Sequence, residues 1–329
     1  MRPTGEQGWE RASILFFAAG IPLQSARAQN LPDLISACGG TSDLQLAWCQ
    51  ETALAVQAAQ GALGLAASGG TDLPGSASTL GWRMKGSPRF ALSLRGSFTR
   101  APAPSLEGSG GLPEGETTLS LPSIHFSGTM GLFDGFSLGP TVGGFGSVDL
   151  TISTQWIAPP KAKGFQENVM GWGIGTRIGV LRESFSLPGI SLSAFHRSLG
   201  TNSLWEVDEG DPAEAVFDVR VSSLRGVIGK DIGGIGVFGG AGWDRYTGDA
   251  LLVVTDPGGG GLASTGAGEL RSERRLYFFG GSMNFLALQV SAEVGWTEGF
   301  DPDLPTSFPG GFDPSSGSEF GSLAFRLTF

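Results

Sequence analysis

Apolar and polar residues alternate along most of this chain, and the alternation begins after residue 85. In residues 89–99, Phe90, Leu92, Leu94 and Phe98 are interleaved with Ala91, Ser93, Arg95, Ser97 and Thr99, the period of a strand with one apolar and one polar face. Comparable segments follow at 123–132, 147–156, 170–180, 190–199, 217–228, 235–243, 276–284, 288–296 and 321–329, which predicts ten strands. Before them, residues 29–85 are rich in Ala and Leu. Ser42 and Gln45 have capping-box spacing and Gly69-Gly70 provides a stop, which predicts a helix.

The connections predict how these strands close. Compact turns are expected after strands two, four, six and eight, as at 229–233 and 284–285. Longer Gly-, Pro- and acid-rich loops are expected after the odd strands, including 247–273 and 297–318. Short turns on one side, long loops on the other and an even strand number describe an all-β, closed antiparallel up-and-down transmembrane β-barrel of about ten strands, with twelve or eight as alternatives. Both ends then fall on the periplasmic side. Trp156, Trp172, Trp243 and Trp296 fall near the outer ends of their strands as an aromatic girdle, with Phe185, Phe285 and Phe329 at the other rim.

Composition narrows this further. The 55 glycines among 329 residues show no Gly-X-Y period and belong inside ordered structure. No stretch after residue 28 approaches the run of about 20 apolar residues needed by a spanning helix, so any crossing is by strands. Residues 1–28 read as a cleaved signal peptide, an apolar run ending in Ala26-Arg27-Ala28. Removing their three Arg and two Glu from 21 basic and 31 acidic residues leaves 18 and 29, a net of −11, which excludes nucleic acid as a partner. Cys38 and Cys49, the two cysteines of an exported chain, are expected to form a disulfide. The predicted domains are the signal at 1–28, a stapled helical segment at 29–85 lying in the periplasm or the lumen, and the barrel at 86–329.

Residues 321–329 resemble the C-terminal strand of Gram-negative outer-membrane barrels: a terminal Phe329 preceded in phase by Leu327, Phe325 and Leu323. The resemblance implies recognition by the barrel-assembly machinery, outer-membrane localisation and lipid as the surrounding partner. A helical segment ahead of the sheet also resembles the outer-membrane fatty-acid transporter family, where an N-terminal hatch plugs the lumen. That family has more strands, and its Asn-Pro-Ala motif does not follow Gln29.

On the polar faces Arg95, His125, Asp149, Arg177, Asp218, Arg220, Asp244, Glu293 and Arg326 are expected in the lumen, where buried charge must be paired. Gly171, Gly173, Gly175 and Gly179, with Gly236, Gly240 and Gly242, share that side. They leave room for a plug or ligand, or relieve crowding in a narrow barrel. Residues 234–239 match Gly-x-Gly-x-x-Gly, but strand alternation continues where a dinucleotide site needs a helix. No cofactor is expected. Loop acids (Glu206, Asp208, Glu209, Asp211 and Glu214; Asp301, Asp303 and Asp313) have no EF-hand spacing, and no metal site is assigned. His125 and His196 are the two histidines, with neither a protease-type Asp/His pair nor Gly-x-Ser-x-Gly beside them.

The reading from sequence is a non-enzymatic passive channel or transporter for a small solute, hydrophobic ones included. The alternative is a structural or adhesive barrel with a filled lumen, and the third option is a barrel hydrolase.

Overall fold

The computed structural model describes residues 31–39, 42–82, 86–106, 115–137, 143–205, 212–255, 263–302 and 312–329. The predicted signal peptide and the acids at 206, 208, 209, 211 and 303 lie outside these residues. Two helices, α1 (Leu31–Cys38) and α2 (Asp43–Ser68), precede ten strands. These are β1 (Phe90–Pro104), β2 (Glu116–Phe133), β3 (Ser147–Ile157), β4 (Val169–Leu181), β5 (Gly189–Leu204), β6 (Ala213–Ile232), β7 (Ile235–Val254), β8 (Ser264–Phe285), β9 (Leu288–Thr297) and β10 (Ser318–Thr328). Each strand pairs antiparallel with its sequence neighbours, and β1 pairs with β10 to close the barrel. Backbone bonds between Phe90 and Phe329 extend that seam, Phe329 N donating to Phe90 O at 2.8 Å. No described helix is long and apolar enough to cross a membrane.

A belt of large apolar side chains faces outward around the barrel. Ile124, Phe126, Ile152, Trp172, Leu192, Phe279 and Leu323 are each about half exposed. So continuous an apolar surface is tolerable only against lipid. β3, β9 and β10, of 11, 10 and 11 residues, have the length of one crossing. β6, β7 and β8, of 20, 20 and 22 residues, run well past the belt.

That extension corrects the expected loop at 247–273: most of it is strand, with only the connection between Val254 and Ser264 outside the ladder. The alternation persists there but its sense inverts. Inside the belt polar residues point inward. Beyond it Phe217, Val219, Val221, Ala250, Leu252 and Leu270 point inward and are buried, while Asp218, Arg220, Asp249 and Glu269 point outward. Water replaces lipid outside, so polar side chains move to the outer face. The connection from Phe133 to Ser147 is likewise no compact turn; it carries a bridge between Phe136 and Phe145.

What lies inside explains the inward apolar residues. α2 opens on Ser42, whose hydroxyl accepts from Gln45 N at 3.2 Å, and runs down the barrel interior buried on every side from Glu51 to Ser68. Its small residues, with seven alanines between Ala53 and Ala67 plus Gly61 and Gly64, keep it slim. A Cβ at Gly64 would overlap the Tyr246 ring, and one at Gly61 would overlap the Arg274 guanidinium. α1 packs along β8 at the loop end, where Ser264 Oγ donates to Gly39 O at 3.2 Å. The Cys38–Cys49 disulfide joins the two helices there. The described chain thus enters at the loop end, whereas β1 begins and β10 ends at the turn end. Filling the space that Gly64 leaves for Tyr246 should therefore loosen the plug. Gly64→Leu is expected to destabilise the barrel by about 1–3 kcal/mol in detergent unfolding followed by circular dichroism, as overpacked cores do.

Candidate functional site: the plugged lumen

Below α2 the chain continues as a coil, residues 69–80, through the polar part of the lumen, and the wall holds it almost residue by residue. Arg95 Nη1 donates to Gly69 O and Thr71 O at 3.0 and 2.9 Å. Glu293 accepts from Thr71 N at 2.9 Å and from its hydroxyl. Arg197 Nη2 lies 2.6 Å from Asp72 Oδ1, an ion pair in which both side chains are at most 5% exposed. Ser193 donates to the other Asp72 oxygen. Arg326 Nη1 donates to Pro74 O and Gln289 Nε2 to Gly75 O, both at 2.9 Å. Arg177 donates to Ser76 O, and Asp149 Oδ2 accepts from Leu80 N at 2.9 Å.

Coil backbone lacks a partner strand, so its buried carbonyls and amides need side chains to satisfy them. Arginine suits this, offering several donors in a fixed fork.

One level up, Arg225 makes a bidentate pair with Asp244 at 2.6 and 2.8 Å, and Nη2 also reaches Ser68 O at 3.2 Å. Tyr246 OH donates to Asp244 Oδ2 at 3.1 Å. Arg274 stands 5.7 Å from the Tyr246 ring centroid and 5.1 Å from that of Phe300. Where Asp72, Arg95, His125 and Arg197 meet, the remaining cavity measures about 10 Å³, space for no more than about one water. At the turn end Asp134 Oδ1 accepts from Arg182 Nη2 at 2.6 Å and from Trp82 N at 3.0 Å, which clasps the end of the plug segment.

Of the residues expected in the lumen, the structure turns Arg95, His125, Asp149, Arg177, Asp244, Glu293 and Arg326 inward. Asp218 and Arg220 are a correction: they face outward with side chains 32% and 41% exposed, paired with each other and, through Arg220, with Asp249. They belong to the stretch beyond the belt, where the polar face is the outer one. Arg197, Arg225 and Arg274 also point inward and are buried; the one local signal for any of them is that Arg225 is out of phase with outward Leu224 and Ile228. Asp72 carries no local signal within a Gly/Pro/Ser stretch.

The strand glycines mostly accommodate neighbouring inward side chains. A Cβ at Gly175 would strike Phe195, one at Gly240 Phe278 and one at Gly242 Arg225. Gly173 makes room for Arg197 and Phe195, Gly171 for Leu199 and Gln155, and Gly236 for Ser282. Gly179 faces Ser147 and also Thr79 of the coil. Trp156, Trp172, Trp243 and Trp296 face outward near the loop-side edge of the belt, with Trp296 6.0 Å from Tyr277. Phe285 and Phe329 are half exposed at the turn side, and Phe185 is fully exposed.

His125 Nε2 lies 3.2 Å from Ser97 Oγ and 3.1 Å from Ser123 Oγ, buried beside the plug. His196 faces outward, with Nδ1 3.2 Å from Ser222 Oγ. No carboxylate is hydrogen-bonded to either ring among the described residues. Those residues also hold no cluster of three or more His, Cys, Asp or Glu placed to bind a metal.

No protein-family model and no curated protein matches the chain. Among solved structures it is similar to Ail, the attachment invasion locus protein of Yersinia pestis, at 9% identity and TM-score 0.32 over 73% of this chain and 98% of that one. It is also similar to the translocator domain of the autotransporter NalP from Neisseria meningitidis, at 11% and 0.36 over 84% and 98%. For the Pseudomonas putida toluene transporter TodX the values are 7% and 0.29 over 78% and 95%. Likenesses of this size add nothing to what the geometry gives about the lumen.

Two outcomes follow from the polar contacts. Asp72→Ala leaves Arg197 buried without its counter-ion and should cost about 3–5 kcal/mol in chemical unfolding, with much of that recovered in Asp72→Ala/Arg197→Met. The second concerns Asp134. Its slight burial raises its pKa, but the Arg182 hydrogen bond and the Trp82 amide outweigh this and hold it below the ordinary carboxylate value. A lowered folded pKa gives stability that is present above the unfolded value and lost as pH falls through the folded one. The melting difference between wild type and Asp134→Asn should accordingly be present at pH 7 and shrink as pH falls below the ordinary carboxylate range.

Proposed function

We propose that the protein is an outer-membrane barrel sealed by its own N-terminal helix, serving as a surface anchor that presents the disulfide-joined ends of α1 and α2 and the loop-end strand tips outside, rather than as an open channel. The observation that carries this reading is α2 and its coil occupying the lumen, held by side chains from most of the wall. Short turns are periplasmic and long loops external in barrels of this kind, so the Cys38–Cys49 end of the plug is external. An oxidising exterior suits its disulfide. Solute passage would require the plug to move, against the many buried polar contacts just described. The plug itself agrees with the hatch that the fatty-acid transporter resemblance implies, and this keeps gated transport as the second reading.

Planar-bilayer recording distinguishes the two. The full-length protein should show no steady conductance, and removal of residues 31–80 or the milder Asp72→Ala/Thr71→Ala should produce steps. Steady conductance by the intact protein would sink the sealed-anchor reading. A cysteine at exposed Ser36, labelled by a membrane-impermeant maleimide on intact cells, reports the orientation. Labelling only after permeabilisation would reverse it.

A further inference from the structure

Where the apolar belt meets the loop-side Trp girdle, the outer wall carries a polar group in a position that otherwise belongs to lipid. His196 on β5 stands opposite Ser222 on β6, and Ser222 stands opposite Arg245 on β7. All three point outward. Beneath them lies a groove of about 620 Å³ with Ala194 and Thr176 as a shallow floor and Ile174, Leu224 and Trp243 among its walls. Polar and charged groups on a barrel's lipid face are costly in proportion to depth, so they call for a partner that is itself amphipathic.

Charge and geometry define that partner. Arg245 lies 4.9 Å from the Trp243 ring centroid and donates from Nε to Glu273 Oε1 at 2.9 Å. Among the described residues its two Nη groups have no other acceptor. Glu273 Oε1 also accepts from Arg271 at 3.1 Å, so two guanidinium groups share one carboxylate and a positive charge is left over the groove. His196 engages Ser222 through Nδ1, which leaves Nε2 as a second donor or acceptor. A guanidinium fork fits a phosphate, and the apolar channel below fits an acyl chain.

We infer that the His196–Ser222–Arg245 groove is a specific site for a phosphate-bearing, acylated lipid of the outer leaflet, with the phosphate on Arg245 and an acyl chain over Ala194. The leaflet assignment rests on the orientation proposed above; the phosphate-and-chain site does not.

Native mass spectrometry of the full-length protein in detergent tests it, with lipid A, its dephosphorylated form and phosphatidylglycerol as probes. Lipid A should be retained, and Arg245→Gln should weaken it about tenfold, the value of one hydrogen bond to a charged group. Arg100→Gln, an outward arginine 5.7 Å from the Phe98 ring on β1, should leave binding unchanged, and circular dichroism checks that both variants fold. Equal retention by Arg245→Gln and wild type, or equal retention of the dephosphorylated lipid, would overturn the site. Phosphatidylglycerol binding as tightly as lipid A would overturn the outer-leaflet assignment alone. Conductance plays no part in this readout, so the sealed lumen and the lipid site stand or fall separately.

Discussion

A closed sheet has no free backbone edge, so the problem this protein must solve is its interior. Ten strands enclose a space wider than their own inward side chains fill, and the polar groups that line it cannot be left without partners. The chain answers with a slim helix above and a coil below. The helix satisfies its own backbone, and polar wall groups such as Arg274, Arg225 and Asp244 meet it at Gly61 and Ser68 in its lower half and through its own buried Gln57. The coil cannot satisfy its own, and it sits where Arg95, Arg177, Arg197, Arg326, Asp149 and Glu293 reach it. The lining is mainly apolar along the upper helix and mainly polar around the coil, with the Arg225–Asp244 pair at the junction where Ser68 ends α2.

This matching of lining to occupant explains why polarity alternates in opposite senses along β6, β7 and β8. Outside the lipid the outer face meets water and the inner face meets α1 and α2. A strand crossing the boundary keeps its period of two while exchanging which face is apolar. A segment such as 217–225 therefore holds Phe217, Val219 and Val221 in phase with Arg225, and a single face assignment made for the whole stretch puts Asp218 and Arg220 on the wrong side.

Much of the architecture could be read from residues alone because lipid imposes a strict rule: the strand segments inside the belt, their number, the seam strand and the helix before the barrel all follow from period and capping. What could not be read depends on register. The Arg197–Asp72 pair joins residues 125 positions apart across a segment whose composition signals only a linker. The glycines of β4 and β7 make sense only once Phe195, Phe278 and Arg225 are seen to reach across from adjacent strands. The extended tips of β7 and β8 resemble loops because Gly, Asp and Glu there are chosen for water rather than against strand.

The direction of the plug bears on how the molecule is built. Its helices lie at the loop end, yet the coil leads to β1 at the turn end, so the polypeptide runs lengthwise through the ring it later forms. The β1–β10 seam must zip up around a strand of chain already lying in place, or the helical hairpin must be threaded through a finished ring past a crowded set of guanidinium groups. The first order of events demands far less disruption, and it makes the N-terminal segment a template on which the wall is wrapped.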